Sequence, residues 1–233
     1  MLKAKILEVF QSIQGEGKYV GVPQVFVRFF ECNMHCVWCD TPYSIGDSAK
    51  TTGKYKEYSL SELLAQVKSF GRDYHSVSIT GGEPLLQTKF LKSFLPALRK
   101  NRLKIYLDTN GTLPRELKEV IEDIDIVAMD IKLPSSTQEK SYWKEHGEFL
   151  KIALKKEAFI KTVVSSQTNQ QDIVKAASLV AKLDPDTLFI LQPNFFDMHN
   201  GVVNKCIAFQ KECSKKLRNV RIIPQTHKIL KIR

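Results

Sequence analysis

Cys32, Cys36 and Cys39 fall within the eleven-residue stretch ECNMHCVWCDT (31 to 41), and no fourth cysteine lies near them. The other two, Cys206 and Cys213, are seven apart on a helix-like segment and most simply share an apolar face of the core. An odd, clustered set of five is not the framework of a disulfide-stapled domain, so the three close thiols read as metal ligands. A [4Fe-4S] cluster is usually held by four thiolates. Three leave one iron open to an outside ligand, and that open position is then the functional feature. The alternative is a structural zinc site completed by a distant fourth ligand such as His199, His227, Cys206 or Cys213. Zinc ligands commonly arrive as two paired half-sites, and the chain has no second Cys-x2-Cys or His-x3-His.

A chelating amino acid can fill an open iron position with its amine and carboxylate, and S-adenosylmethionine carries both. One electron from the reduced cluster into its sulfonium releases a 5′-deoxyadenosyl radical, and the protein's task becomes binding, orientation and exclusion of water. Other polar groups fit such a site. SITGGEP (78 to 84) ends an apolar run with two glycines that open the backbone to close approach, and Pro84 suits a first helical turn. DTNGT (108 to 112) carries Asn110 at a turn. Asp130 and Lys132, then Gln192 and Asn194, close two further apolar runs. Near the N-terminus, EVFQSIQGEG (8 to 17) holds Ile13, Gln14, Gly15 and Glu16, and Arg28 follows in an extended run. A carboxamide and a carboxylate can pair with the amide edge of a heterocycle, while an Arg clamps a carboxylate with two parallel bonds. The blander reading of these last residues is a surface turn with a structural salt bridge.

The elements that must position these groups alternate. Extended, apolar runs at 25–30, 76–80, 104–109, 125–131, 159–165 and 187–193 are separated by segments of helical periodicity at 59–70, 86–100, 114–123, 147–157, 169–183 and 204–218. Strands joined this way lie parallel, and right-handed crossovers bring all their C-terminal ends to one rim, where the cysteine loop and the polar groups that close the apolar runs fall. Stretches 4–10 and 220–225 could extend the sheet at its flanks. Residues 135–148 are the least patterned and read as a loop or short-helix insertion; 43–58 reads as a second loop beside the cysteines.

The chain has 233 residues, 43% of them hydrophobic, enough for one sizeable core, and residues 1–233 are expected to form a single domain. No run approaches the ~18 apolar residues of a membrane span, and MLKAKILEVF is charged and alternating, unlike a signal peptide; a soluble, cytoplasmic protein with no membrane partner is expected. The net charge of +10 invites a nucleic-acid partner, but the lysines are spread along helix-like segments and read as solvated faces, so none is expected.

The Cys-x3-Cys-x-aromatic-Cys loop, with Trp38 before Cys39 and placed after the first strand, resembles the cluster loop of radical S-adenosylmethionine enzymes. With QSIQGEG, Gly-x-Pro-x-x-Phe-x-Arg, CNMHCVWCDT, TGGEP and the C-terminal PQTHK, residues 8 to 228 closely resemble the 7-carboxy-7-deazaguanine synthase family of the deazapurine (queuosine precursor) pathway. That resemblance implies an α/β fold: a partial (β/α)6 TIM-like barrel of parallel strands with flanking N- and C-terminal strands. It implies conversion of 6-carboxy-5,6,7,8-tetrahydropterin to 7-carboxy-7-deazaguanine: the radical removes the C6 hydrogen, the ring contracts, ammonia leaves, and S-adenosylmethionine is regenerated. It further implies a [4Fe-4S] cluster on Cys32, Cys36 and Cys39, and Mg2+ held in part by Thr41. Cofactor contacts would come from Trp38, Asp40, Gly82, Glu83, Asn110, Asp130, Lys132, Gln192 and Asn194. Substrate contacts would come from Ile13, Gln14, Gly15, Glu16, Arg28, Thr80 and His227. A reductant such as flavodoxin or ferredoxin and a homodimer are the partners implied. Two other readings share part of this pattern: an activase of glycyl-radical enzymes, whose substrate is a protein, and a zinc-bearing nucleic-acid-binding module. Gln14, Glu16, Arg28 and the Asp40-Thr41 pair are not what a peptide substrate requires.

Overall fold

The computed structural model describes residues 2–46 and 55–232. Part of the loop expected at 43–58 therefore lies outside the described residues. In chain order the elements are β1 (Ala4–Ile13), β2 (Pro23–Phe29), β3 (Lys56–Tyr58), α1 (Leu60–Lys68), β4 (Ser76–Gly81), α2 (Thr88–Lys100), β5 (Ile105–Thr109), α3 (Pro114–Val120), β6 (Ile126–Asp130), α4 (Pro134–Thr137), α5 (Trp143–Ala153), β7 (Glu157–Val164), α6 (Gln170–Leu183), β8 (Phe189–Pro193), α7 (Val202–Cys213), β9 (Val220–Ile222) and α8 (Thr226–Ile229). One sheet takes the order β3-β1-β2-β4-β5-β6-β7-β8-β9.

Neighbours from β2 through β8 pair in parallel. These are the six expected strands, and they make the partial (β/α)6 barrel. At one flank β9 adds a seventh parallel strand; at the other β1 runs antiparallel to β2, and β3 antiparallel to β1. Strands covered on both faces need apolar residues at nearly every position, and every residue of β6 and β8 is buried. The outward face packs against the helices around Val27, Ile79, Leu107, Val127, Ile160 and Leu191. The inward face has its own small cluster, Tyr106, Ile126, Ala128, Phe159, Leu188 and Ile190, which plugs the barrel. Cys206 and Cys213 are fully buried in the outer core, as their spacing predicts.

Successive side chains on a strand point to opposite faces, so a residue two places beyond a plug residue also faces inward, one layer higher. The layer above Tyr106, Ala128, Phe159 and Ile190 is Asp108, Asp130, Lys161 and Gln192, all of which line one cavity. The period of two thus turns an apolar floor into a polar wall within a single step of each strand.

Three expectations about elements need correction. The helix expected at 147–157 is Trp143–Ala153, because the ladder with β6 pairs Glu157 with Ile126 and draws the following residues into β7. Its start takes up part of the supposed loop 135–148, and α4 takes up another part. The helix expected at 204–218 ends at Cys213, since Leu217 folds back into the core and the Arg218 N–H donates to the Pro185 carbonyl at 2.9 Å. The loop at 43–58 contains β3, whose residues 56–58 pair with 4–6 of β1.

His146, in α5, is completely buried and joins two strand-end loops: its Nδ1 lies 3.0 Å from the Gly111 carbonyl, and its Nε2 accepts from the Lys132 N–H at 3.2 Å. That geometry needs a neutral ring with the proton on Nδ1. Burial lowers its pKa to about 4 from 6.5. A depressed pKa gives stability that is complete above the unfolded value and lost as pH falls toward the folded one, here between 6.5 and 4, worth roughly 3 kcal/mol at most. His146→Asn, which cannot span both loops, is expected to lower stability at pH 8 by about 1–3 kcal/mol. Urea unfolding is also expected to show a shallower decline from pH 6.5 to 4 in the variant than in the native protein.

Candidate active site

The strand ends open into a cavity of about 590 Å3. One wall is the cysteine loop. Cys32, Cys36, Cys39 and the buried Met34 line it. Its first residues lie directly on the end of β4: Gly82 N–H donates to the Phe29 carbonyl at 3.1 Å, and Glu83 N–H to the Glu31 carbonyl at 2.8 Å. A Cβ on Gly81 would stand 2.2 Å from the Phe29 oxygen, and one on Gly82 2.1 Å from the Glu31 oxygen. The double glycine was expected to open the backbone to a ligand. It does line the cavity, but the space a side chain would need is occupied by the backbone that leads into the cysteine loop.

The rest of that wall is tied down from three directions. Asn33 donates to the Thr112 hydroxyl at 2.9 Å and accepts from Asn110 Nδ2 at 2.9 Å, joining the loop to the turn after β5. Trp38 Nε1 donates to the Ser136 carbonyl at 2.7 Å, and Val37 N–H to the Thr137 carbonyl at 3.2 Å, so α4 supports the cysteines from outside. Lys132 lies over the Trp38 ring, 4.9 Å from its centre, and pairs with Asp130 at 2.8 Å. Burial works against its charge, but Asp130 outweighs burial and the Lys132 pKa is raised. Burial also pushes the Cys32 thiol up to about 12 and Cys36 to about 11. Thiols so placed ionise when a metal replaces the proton.

Glu83 departs from its expected place. It is fully buried and absent from the cavity lining; its carboxylate accepts from the Leu85 N–H at 3.1 Å, the Asn110 N–H at 2.8 Å and the Thr109 hydroxyl at 2.9 Å. Burial pushes its pKa up to about 7 against the pull of those donors. It binds the ends of β4 and β5 together. Every other residue singled out for cluster, cofactor, magnesium or substrate lines the cavity.

Another part of the lining collects the N-terminal stretch and the C-terminal segment. Gln14 Nε2 donates to Gln24 Oε1 at 2.9 Å, and its own carbonyl accepts from the Glu16 N–H at 3.0 Å. Gln24, completely buried, in turn donates to Ser76 at 2.8 Å, which fixes the orientation of the Gln14 amide. Arg28 is anchored through Nε on Glu8 at 2.7 Å and stacks over Phe10, so the salt bridge exists and the guanidinium still lines the cavity. Glu16 pairs with Lys161 at 2.5 Å and accepts from Gln225 at 2.8 Å. Burial works against its ionised form, but Lys161, Gln225 and His227 prevail and lower its pKa to about 2. An ionised carboxylate only accepts, so Glu16 suits a ligand edge that donates. His227 packs on Gly15, where an added Cβ would stand 2.3 Å from its Nδ1, and the Thr226 N–H donates to the Gly15 carbonyl at 2.8 Å. Asp40, next to Cys39, also meets the C-terminal segment: Lys228 pairs with it at 3.1 Å, and Gln225 donates to it at 3.2 Å.

Among the described residues, the side chains whose ligand atoms gather within 4.8 Å are Glu16, Asp40 and His227. The family model for the radical SAM superfamily matches residues 27–166. The 7-carboxy-7-deazaguanine synthase of Geobacter sulfurreducens is 39% identical and is covered over 97% of both chains; that of Thermoplasma acidophilum is 33% identical over 97% of this chain and 96% of its own. This chain belongs to the 7-carboxy-7-deazaguanine synthase family. The crystal structure of QueE from Escherichia coli superposes with a TM-score of 0.65 at 28% identity, covering 97% of this chain and 96% of that one.

Membership in this radical SAM family carries a [4Fe-4S] cluster and S-adenosylmethionine, and it does not favour the activase or the zinc-module reading. The residues present fit both groups. Three half-buried thiols line the cavity, and two buried oxygens at the strand ends, Asp130 Oδ1 and Gln192 Oε1, have no hydrogen-bond partner in the protein. Unpaired buried acceptors are costly and call for a ligand that donates, as ribose hydroxyls and an amino group do.

Several cavity residues carried no assignment from sequence. Lys161 and Asp108 were legible as charges at inward phase in apolar strands. Phe195 and Phe196, edge to face beside Lys228, lie after β8, and Gln225 precedes α8, where no periodicity marks them. Among the described residues no helix is long and apolar enough to cross a membrane.

Two substitutions test the walls separately. Gly82→Ala must displace Glu31 and Cys32, and is expected to reduce iron bound per chain after anaerobic reconstitution by at least about half while the far-ultraviolet circular dichroism is unchanged. Gly15→Ala drives His227 out of place and is expected to leave iron content intact while raising KM for the substrate roughly tenfold, about 1.4 kcal/mol of lost binding.

Proposed function

We propose that this chain is a carbon–nitrogen lyase that converts 6-carboxy-5,6,7,8-tetrahydropterin to 7-carboxy-7-deazaguanine with release of ammonia. The observation that carries this reading is that one cavity is lined by both sets of residues. Cys32, Cys36 and Cys39 line it together with Gln14, Glu16, Arg28, Thr80 and His227. When bound, the cluster and S-adenosylmethionine supply the 5′-deoxyadenosyl radical that takes the C6 hydrogen. Trp38, Gly82, Asn110, Asp130, Lys132, Gln192 and Asn194 orient the cofactor, with Glu83 holding the Asn110 turn from beneath and Asp40 bracing the C-terminal segment. Glu16 accepts from the donating edge of the pterin, the Gln14 amide is held to meet the same edge, Ile13 and Gly15 pack on the ring, and Arg28 clamps the carboxylate. The Gln225–Lys228 segment keeps water from that end of the site.

Mg2+ would be held by the Thr41 hydroxyl with the substrate carboxylate and waters. Magnesium prefers hard oxygen donors and few protein contacts, and the Thr41 hydroxyl caps no backbone N–H and accepts a long bond from Ser44 Oγ at 3.5 Å. A single hydroxyl binds weakly, so magnesium affinity is expected to rise at least about tenfold when the pterin is present. Calorimetric titration with and without substrate reads this directly, and equal affinities would remove Thr41 from the role. Residues 1–233 act as one radical SAM domain in the cytoplasm, as a homodimer, with electrons from a flavodoxin or ferredoxin.

Reconstitution with iron and sulfide, followed by reductant, S-adenosylmethionine, magnesium and the pterin, is expected to give a carboxy-deazaguanine and one ammonia per turnover by mass spectrometry. Cys36→Ala is expected to give neither. Cleavage of S-adenosylmethionine with the pterin untouched would retain the radical chemistry and reject the substrate.

A further inference from the structure

Lys161 sits in the middle of an apolar strand, 6% exposed, one layer above the barrel plug. Its ammonium touches two carboxylates, Glu16 at 2.5 Å and Asp108 at 3.2 Å. A buried lysine is costly unless it is well paired, and an apolar residue of similar volume would fill β7 without that cost. Orienting Glu16 does not require the second carboxylate, because Gln225 already donates to Glu16. Asp108 comes from a different strand, β5, and its other oxygen accepts from the Thr80 hydroxyl at 3.3 Å. The pair therefore lies between Glu16 and Thr80, both assigned to the pterin, and both of its members line the cavity. The other buried lysine of the site, Lys132, is locked against Asp130 and Trp38 on the cysteine side.

We propose that Lys161 and Asp108 are the acid–base pair that expels ammonia. This rests on the function proposed above. Ring contraction leaves the displaced ring nitrogen as an amine on the carbon that bears the carboxylate. Making the five-membered ring aromatic then requires that carbon to lose its amine and the neighbouring methylene to lose a proton. Lys161 Nζ gives a proton to the amine nitrogen, and the C–N electron pair leaves with ammonia. The electron pair of the methylene C–H bond becomes the ring double bond, and the Asp108 carboxylate takes the proton. Transfer of that proton from Asp108 to the neutral Lys161 restores both groups without an outside acid, base or electron carrier. The environment of Asp108 suits its role, and that of Lys161 fixes its resting protonation state. Burial, the first influence on Asp108, raises its pKa and makes it a stronger base than an exposed aspartate. Burial opposes the charge on Lys161, but Asp108 and Glu16 prevail and keep it protonated until a basic amine is presented.

The test uses the reconstituted full chain, with Lys161→Arg and Asp108→Asn as variants. Arginine keeps the positive charge between the carboxylates but does not give up a proton near neutral pH; asparagine keeps the shape and removes the base. Substrate affinity is measured by calorimetry on the unreduced protein, and quenched reactions are followed for pterin consumed, ammonia released and any isomer of the substrate. The expected result is affinity within about threefold of native, continued consumption of the pterin, and ammonia release about 100-fold slower, with the ring-contracted amine, an isomer of the substrate, accumulating. Ammonia release that keeps pace with consumption in either variant would reduce the pair to a counter-ion arrangement for Glu16 and overturn the proposal. So would loss of consumption in both variants with binding intact. A native protein that leaves the pterin untouched overturns the function itself, and the role of the pair with it.

Discussion

The close approach of two backbones, Gly81-Gly82 against Phe29 and Glu31, is the contact on which the rest of this site depends. It leaves no volume for a Cβ, and it sets the first cysteine directly above the end of a parallel strand. Glu83, next in the chain, makes the contact rigid. Its buried carboxylate gathers the backbone of Leu85 and Asn110 and the Thr109 hydroxyl, so the ends of β4 and β5 cannot move independently. From Asn110 the constraint passes through Asn33 back to the cysteine loop. The loop contains no helix or strand of its own. Its shape is imposed from outside, by β4, the turn after β5, and α4.

The second wall is organised by charge instead of close packing. Lys161 is the only cation in contact with both Glu16 and Asp108 among the described ion pairs, and it draws the N-terminal turn onto the barrel interior. Lys228 and Gln225 do the same for Asp40 from the C-terminal side. Residues from the two ends of the chain thus meet over the cavity, 209 positions apart in the case of Glu16 and Gln225. Lys161 is nearly buried, so its pairs are screened less than surface pairs, and Glu16 keeps its charge at neutral pH. The overall positive charge of the chain has no part in this. It lies largely on helix surfaces, while the site itself is a balanced set of acids and bases.

The sequence by itself determined the order of strands and helices, because apolar runs buried on both faces and helices buried on one leave different periodicities. It also determined the metal chemistry, because three thiols at that spacing with no fourth are a local property of eight residues. Gln14, Glu16, Arg28, Thr80 and His227 were legible as a set through resemblance to a family, and the cavity lining contains all five. Tertiary structure decided what no local pattern encodes. Glu83 stands one residue from a lining glycine yet points into the protein, since the strand it follows alternates its faces. Helix 147–157 gave way to β7 because the β6 ladder competes for Glu157. Asp108 and Lys161, 53 residues apart and on strands separated by β6, meet only when the sheet curls into a barrel and brings inward side chains across its interior. Curvature is a property of the whole sheet, and a contact made across it is therefore absent from any stretch of the sequence.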